Sequence, residues 1–187
     1  MLRRKAEAIA LLQRLQELGR AAPGSGEGAD AAARQWSGIG FRVGTRRLVA
    51  PLGQIAEVLP YPTLTRVPGA RAWMKGVANV RGNLFTVADL SEFCGEAPVD
   101  NDLRARLIAI NLPEVNCGVL VNEVLGMRQF DVESVVEPGT EAGRASARVN
   151  DPVAMAMRRV FRHEGVAWQE FDFRALVASA GFQDVSA

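Results

Sequence analysis

Two textures of hydrophobic patterning divide the chain. Over residues 1–18, Leu2, Ile9, Leu12 and Leu15 recur at helical spacing among Arg3, Glu7, Arg14 and Glu17, which predicts one amphipathic helix. Its apolar stripe must pack either on the rest of the chain or in the groove of a second protein. Residues 19–34, GRAAPGSGEGADAAAR, carry no large apolar side chain and read as a flexible linker. From Ile39 onward, short runs of Val, Ile, Leu and Phe are broken by Gly, Pro and Asn about every ten residues, as in a barrel or sandwich. Strands are predicted near 39–43, 47–50, 54–59, 77–80, 84–88, 106–112, 117–124, 127–130, 157–162 and 166–171, enough for two small barrels or one large one. Gly44-Thr45, Glu114-Val115-Asn116 and His163-Glu164-Gly165 have turn chemistry, and the last two should close hairpins. Helix within the module is expected at a turn around Ala70–Met74, at Leu90–Phe93, and from Asp172, a good N-cap, to Ala180. The domain reading is therefore helix and linker over 1–36, a β module over 37–181 and a tail over 182–187.

Composition alters this picture little. With 187 residues, 48% of them apolar, the chain can bury a core without metals or disulfides. A formal net charge of +1 argues against duplex nucleic acid or an anionic membrane as the main partner. The two cysteines, Cys94 and Cys117, lie in apolar surroundings and read as reduced, partly buried thiols. Arg3, Arg4 and Lys5 imitate the start of a signal peptide, but Glu7, Gln13 and Arg14 interrupt the apolar run that would follow. The expected location is the cytoplasm.

Catalytic chemistry finds little support. The single histidine, His163, falls in a turn with no third group to orient it, and two dispersed cysteines plus one histidine make no zinc site. Gly24-Ser25-Gly26 lies in the linker, outside any phosphate-cradling context. Asp131, Glu133 and Glu137 read as solvated strand and turn residues, so no cofactor or metal is expected. Residues 138–152 lack apolar periodicity and are expected to form a long surface loop, where an enzyme would have to build its site from acidic residues such as Glu141. Arg144, Arg148, Arg158, Arg159 and Arg162 make a basic cluster that only Asp151 opposes locally. It keeps a basic barrel binding RNA or single-stranded DNA as an alternative, although no interleaved aromatic residues accompany it.

The densest information lies in Trp73-Met74-Lys75 followed by GVANVRGNLFTVADL, residues 76–90. Gly76 and Gly82 bracket Asn79 and Arg81, and glycine there suggests a sharp turn or another chain close by. Leu84 to Ala88 is apolar except for Thr86 and reads as a strand buried on both faces. Arg81 then sits where its neighbours predict burial, and a half-buried arginine needs a partner. Glu57, which interrupts Ile55-Ala56-Glu57-Val58-Leu59, is the expected partner across neighbouring strands.

The run from Phe41 through Glu57-Val58-Leu59, Val67-Pro68, Trp73-Met74-Lys75-Gly76-Val77 and Asn79-Val80-Arg81-Gly82 to Asp89-Leu90 resembles CheW-like domains. So does the later CGVLVNEVLGM, residues 117–127. The resemblance covers about Ile39 to Gly181. It implies a mainly β fold of two intertwined five-stranded SH3-like barrels, here with an N-terminal helix and a short C-terminal one. The implied function is a cofactor-free, non-catalytic scaffold coupling chemoreceptors to a CheA-like histidine kinase, at membrane-associated receptor arrays. In such proteins the receptor's cytoplasmic tip docks between the barrels, and the kinase's regulatory domain abuts a barrel end. Carried over, Ile55, Glu57, Val58, Gly76, Asn79, Arg81 and Gly82 become the receptor-side candidates. Gly44-Thr45-Arg46-Arg47 replaces the family's usual acidic first hairpin, and the leader and arginine-rich stretch are additions. These departures resemble the branch serving type IV pili and twitching motility more than the flagellar one, which stays the alternative.

Overall fold

A computed structural model describes residues 35–113, 115–136 and 151–186. The amphipathic helix and linker, Glu114, Arg144, Arg148, Glu141 and all but the last two residues of the 138–152 loop lie outside this set. Each of the ten expected strands falls on an observed one, and the two sheets they form are interleaved in the chain. The first sheet begins with β1 (Gln35–Val43) and β2 (Arg46–Pro51). The chain then leaves it to build the whole second sheet from β3 (Ile55–Pro60), β4 (Met74–Val80), β5 (Asn83–Asp89), β6 (Arg106–Ile110) and β7 (Cys117–Val121). It returns with β8 (Glu123–Asp131), β9 (Val135–Val136), β10 (Met157–His163) and β11 (Val166–Phe171). Strand order is β8-β1-β2-β11-β10-β9 in one sheet and β3-β6-β7-β5-β4 in the other. Each is antiparallel except for one pair, β2–β11 and β5–β7 respectively.

Two closed five-stranded barrels are therefore not what forms. The first sheet gains a sixth strand, β9, whose two residues pair with Val160 and Phe161 and are too few to leave a periodic signal in the sequence. Among the described residues no ladder joins the two ends of either sheet. Each pair of ends is instead linked through the chain. Edge strands β8 and β9 are joined by a 3-10 turn, Val132–Ser134, so the first sheet must curl until its ends lie a few residues apart. Edge strands β3 and β4 are joined by residues 61–73. Within that segment Thr65 exchanges backbone hydrogen bonds with Val77 at 2.8 Å each way and occupies the free side of β4.

Side-chain alternation explains why β6 and β7 read as unbroken apolar runs. Ile108, Ile110, Val119 and Val121 point into a central cluster shared with Phe41, Leu48 and Phe171 of the first sheet, whereas Leu107 and Leu120 point into a second cluster with Val80 and Val87. Both faces of these strands are thus buried, and all five residues of β7 are buried. The first sheet does the same with Val49, Phe130, Phe161 and Trp168, which form a third cluster. Phe41 stacks on Phe173 with ring centroids 5.7 Å apart. Each such fully buried side chain contributes about 1.5–3 kcal/mol.

Three short helices complete the body: α1 (Leu90–Phe93), α2 (Phe173–Ala178) and α3 (Ala180–Gln183). Asp172 caps α2, accepting from the amides of Arg174 at 2.9 Å and Ala175 at 3.3 Å. The expected single C-terminal helix is broken at Ser179, whose side chain accepts from Phe182 N–H at 3.3 Å and so starts α3. Phe182 is buried, stacked on Trp73 at 5.4 Å, which makes this residue part of the packed body. Leu84 to Ala88 is a further correction. Leu84 is 63% exposed and Thr86 is exposed, because β5 meets β7 only from Thr86 to Asp89 and its first half extends past the end of β7.

Candidate functional site

The receptor-side candidates lie on the two edge strands of the second sheet, β3 and β4, and on the turn that follows β4. Ile55, Glu57 and Val58 belong to β3, where a register shift between Ile55 and Glu57 leaves Ala56 exposed. Ile55 packs on the central cluster, and Glu57 and Val58 are half-buried. Gly76 and Asn79 belong to β4, and Arg81 and Gly82 form the tip of the β4–β5 hairpin. Val80 pairs with Asn83, so the loop is two residues long, and both have positive φ, +52° at Arg81 and +87° at Gly82. This is the mirror-image turn that matches strand twist, and it accounts for Gly82 without any neighbour, since nothing lies near where its Cβ would be. Asn79 Oδ1 accepts from Gly82 N–H at 2.8 Å and holds the turn.

The structure brings Arg81 and Glu57 into direct contact: Arg81 Nη2 donates to Glu57 Oε1. The pair spans the opening between the sheet's two unladdered ends, not neighbouring strands, and Arg81 is 73% exposed where burial was expected. At that exposure the ion pair is worth between zero and about 1 kcal/mol, so it orients side chains more than it stabilises the fold. Gly76 has an internal reason to lack a side chain. Its φ is +136° and a Cβ would collide with the carbonyl oxygen of Thr65, the segment that covers the edge of β4. Exposed Leu84 stands on the same hairpin, directly opposite Asn79 in the ladder.

Other candidate chemistry resolves into structural roles. Burial pushes the Cys117 thiol up to about 12, leaving it a protonated, apolar wall residue. Asp131 caps the 3-10 turn by accepting from Glu133 N–H at 3.0 Å. His163 packs edge-on against Phe130, centroids 5.8 Å apart. The basic cluster is partly neutralised: Arg158 pairs with Asp172 at 2.9 Å and Arg159 with Glu170 at 2.8 Å. Asp151, expected to oppose that cluster, pairs instead with Arg46 at 2.5 Å, and both side chains are almost wholly buried. Sequence reasoning missed this pair because 105 positions separate its members and no local pattern marks either one. It also missed buried Asp89, which caps α1 through Glu92 N–H at 3.1 Å, accepts from Val99 N–H at 2.8 Å and faces Lys75 at 3.7 Å. Burial raises the Asp89 carboxyl, against the lowering effect of those hydrogen bonds and of Lys75. Among the described residues no three His, Cys, Asp or Glu side chains converge as metal ligands, and no helix is long and apolar enough to cross a membrane.

Comparison with known proteins bears on the whole body and not on the seam alone. A family model described as CheW-like domain matches residues 37–178. Protein PilI of Pseudomonas aeruginosa is 38% identical over 157 residues, covering 83% of each chain. Protein FrzA of Myxococcus xanthus is 33% identical over 98 residues, 52% of this chain and 61% of the relative. The crystal structure of the scaffolding protein TtCheW from Thermoanaerobacter tengcongensis shares the fold, with a TM-score of 0.65 at 16% identity over 78% of this chain and 94% of that one. Because the domain match runs from β1 through α2 and takes in both interleaved sheets, the chain belongs to the CheW-like family.

Proposed function

We infer that this chain is a non-catalytic adaptor that couples a chemoreceptor to a CheA-like histidine kinase in a chemosensory system controlling type IV pili. The observation that carries the reading is the 38% identity to PilI across 83% of both chains. The seam of the second sheet supports the receptor side of it. Ile55 and Val58 supply apolar surface, Arg81 and Glu57 orient a polar partner, Asn79 and Gly82 hold the hairpin tip, and Gly76 keeps the edge of β4 closed. On this reading the receptor tip docks against the seam, and the kinase's regulatory domain meets another face. The protein would then sit in the cytoplasm at membrane-associated arrays. Affinity at such sites is modest and is raised by multivalency.

The test is recovery of receptor and kinase from native extract on the full-length protein, comparing wild type with Arg81→Ala and Ile55→Asp. Both variants should lose receptor while keeping kinase. Unchanged receptor recovery in both would remove the seam as the docking surface. The second reading is a flagellar chemotaxis coupling protein; Chemotaxis protein CheW of Thermotoga maritima is 26% identical over 109 residues. Deletion that abolishes swimming chemotaxis and spares twitching would select it.

A further inference from the structure

A second built feature lies on the first sheet, whereas every receptor-side candidate belongs to the second. Gly40 of β1 has no side chain where a Cβ would stand 2.7 Å from Trp168 Cζ3 and 3.1 Å from Arg128 Cγ. The missing methyl lets the Trp168 ring and the stem of Arg128 both lie against β1. The Arg128 guanidinium sits over the indole, 5.3 Å from its centroid, a cation–π placement that fixes a long side chain in one position. Its Nε is buried and has no hydrogen-bond partner, a cost that a native structure seldom leaves standing without reason. Beside it opens a cleft of about 190 Å³ whose polar wall is Arg47, Arg128, His163 and Glu164.

We propose that this cleft is a docking site for one carboxylate side chain, Asp or Glu, presented by an acidic segment of a partner protein. The volume is below the roughly 300 Å³ at which pockets for drug-sized ligands begin, and a single side chain fits it. Two arginines against one glutamate leave the cleft an excess of positive charge, which suits an anionic side chain. The Arg128 guanidinium, held over the indole, and Arg47 both line the cleft, so a carboxylate there can take charge-assisted hydrogen bonds from guanidinium N–H donors. Among the described residues neither Arg47 nor Arg128 has an acidic partner that would have to be displaced.

The experiment is a titration of the ¹⁵N-labelled full chain with acetyl-Glu-Glu-Glu-amide, read at the Trp168 indole N–H and the Arg128 Nε–H. Acetyl-Gln-Gln-Gln-amide and inorganic phosphate serve as comparison ligands. The glutamate peptide should shift both resonances saturably, the glutamine peptide should not, and phosphate should need a higher concentration. Arg128→Gln and Arg47→Ala should each weaken the peptide by about tenfold or more, while Arg81→Ala leaves it unchanged. Should Arg128→Gln disturb Trp168 packing, exposed Arg47 decides the matter alone. Tighter binding of phosphate, equal shifts with the glutamine peptide, or an affinity indifferent to Arg47→Ala would each overturn the proposal.

Discussion

Two hairpins in this molecule share a backbone and differ in everything around it. At the tip of β4–β5, Arg81-Gly82 turns with φ of +52° and +87°, and at the tip of β10–β11, Glu164-Gly165 turns with +50° and +75°. Both loops have two residues, and both put a long charged side chain in the left-handed region where asparagine would be less strained. Arg81 reaches across the seam of the second sheet to Glu57. Glu164 stands at a cleft walled by two arginines on the first. The turn therefore dictates how the side chain leaves the backbone, and the surroundings decide what its charge does. A glycine two residues past a strand speaks for the turn, and says nothing about a binding groove.

The largest effect expected from probing this contrast is at Gly76, which guards the seam. Gly76→Ala combines a conformation that non-glycine residues avoid with a collision against Thr65 backbone, and should cost about 2–4 kcal/mol in urea unfolding. A loss of a few tenths would mean that residues 61–73 yield easily. Next comes function. Reversing the tip charge with Arg81→Glu should cut receptor recovery about tenfold, near 1.4 kcal/mol, while Glu164→Arg leaves it intact. The double change Glu57→Arg with Arg81→Glu should restore more than either single change retains, and simple addition of the two losses would refute the coupling.

A smaller effect is expected with acid. Burial pushes the Asp172 carboxyl up, but hydrogen bonds from Arg158, the Ala175 amide and Gln54 outweigh it and hold the group below the usual aspartate value of 3.8. A carboxyl lowered by folding stabilises above its unfolded value and loses that contribution as pH falls through the folded one. Melting temperature should thus drop more steeply below about pH 4 in wild type than in Asp172→Asn, and parallel curves would count against it. The smallest effect lies at the turns themselves. Glu164→Asn should stabilise by about 0.5 kcal/mol through relief of left-handed strain, whereas Arg81→Asn, which also gives up the Glu57 contact, should be near neutral.

Much of the fold was legible where burial imposes a period. Runs such as Leu107 to Ile110 and Cys117 to Val121 announced central strands because both faces are covered, and Asp172 announced α2 because a helix start needs its acceptor. The two residues of β9 carry no period, and the exposed half of β5 carries an apolar composition that misled, since Leu84 is outside. At the site, Glu57 and Arg81 stood out because each breaks an apolar run. Their partnership could be guessed, but its place across the open edges of a sheet could not, because edge-to-edge closure depends on how the whole sheet curls. Arg128 on Trp168 left no trace in the sequence at all. It depends on Gly40, on a different strand and far away in the chain.

The interleaving of the sheets sets a timetable for synthesis. When the ribosome has released residues through Val121, every strand of the second sheet is present, but β1 and β2 still lack β8 and β11, the partners on either side of them. At roughly 5–20 residues per second, the first hairpin waits several seconds with two open edges exposed. Such edges invite pairing with other chains. A variant that slows completion of β8 should therefore fail as aggregate before it fails as a weakened native state.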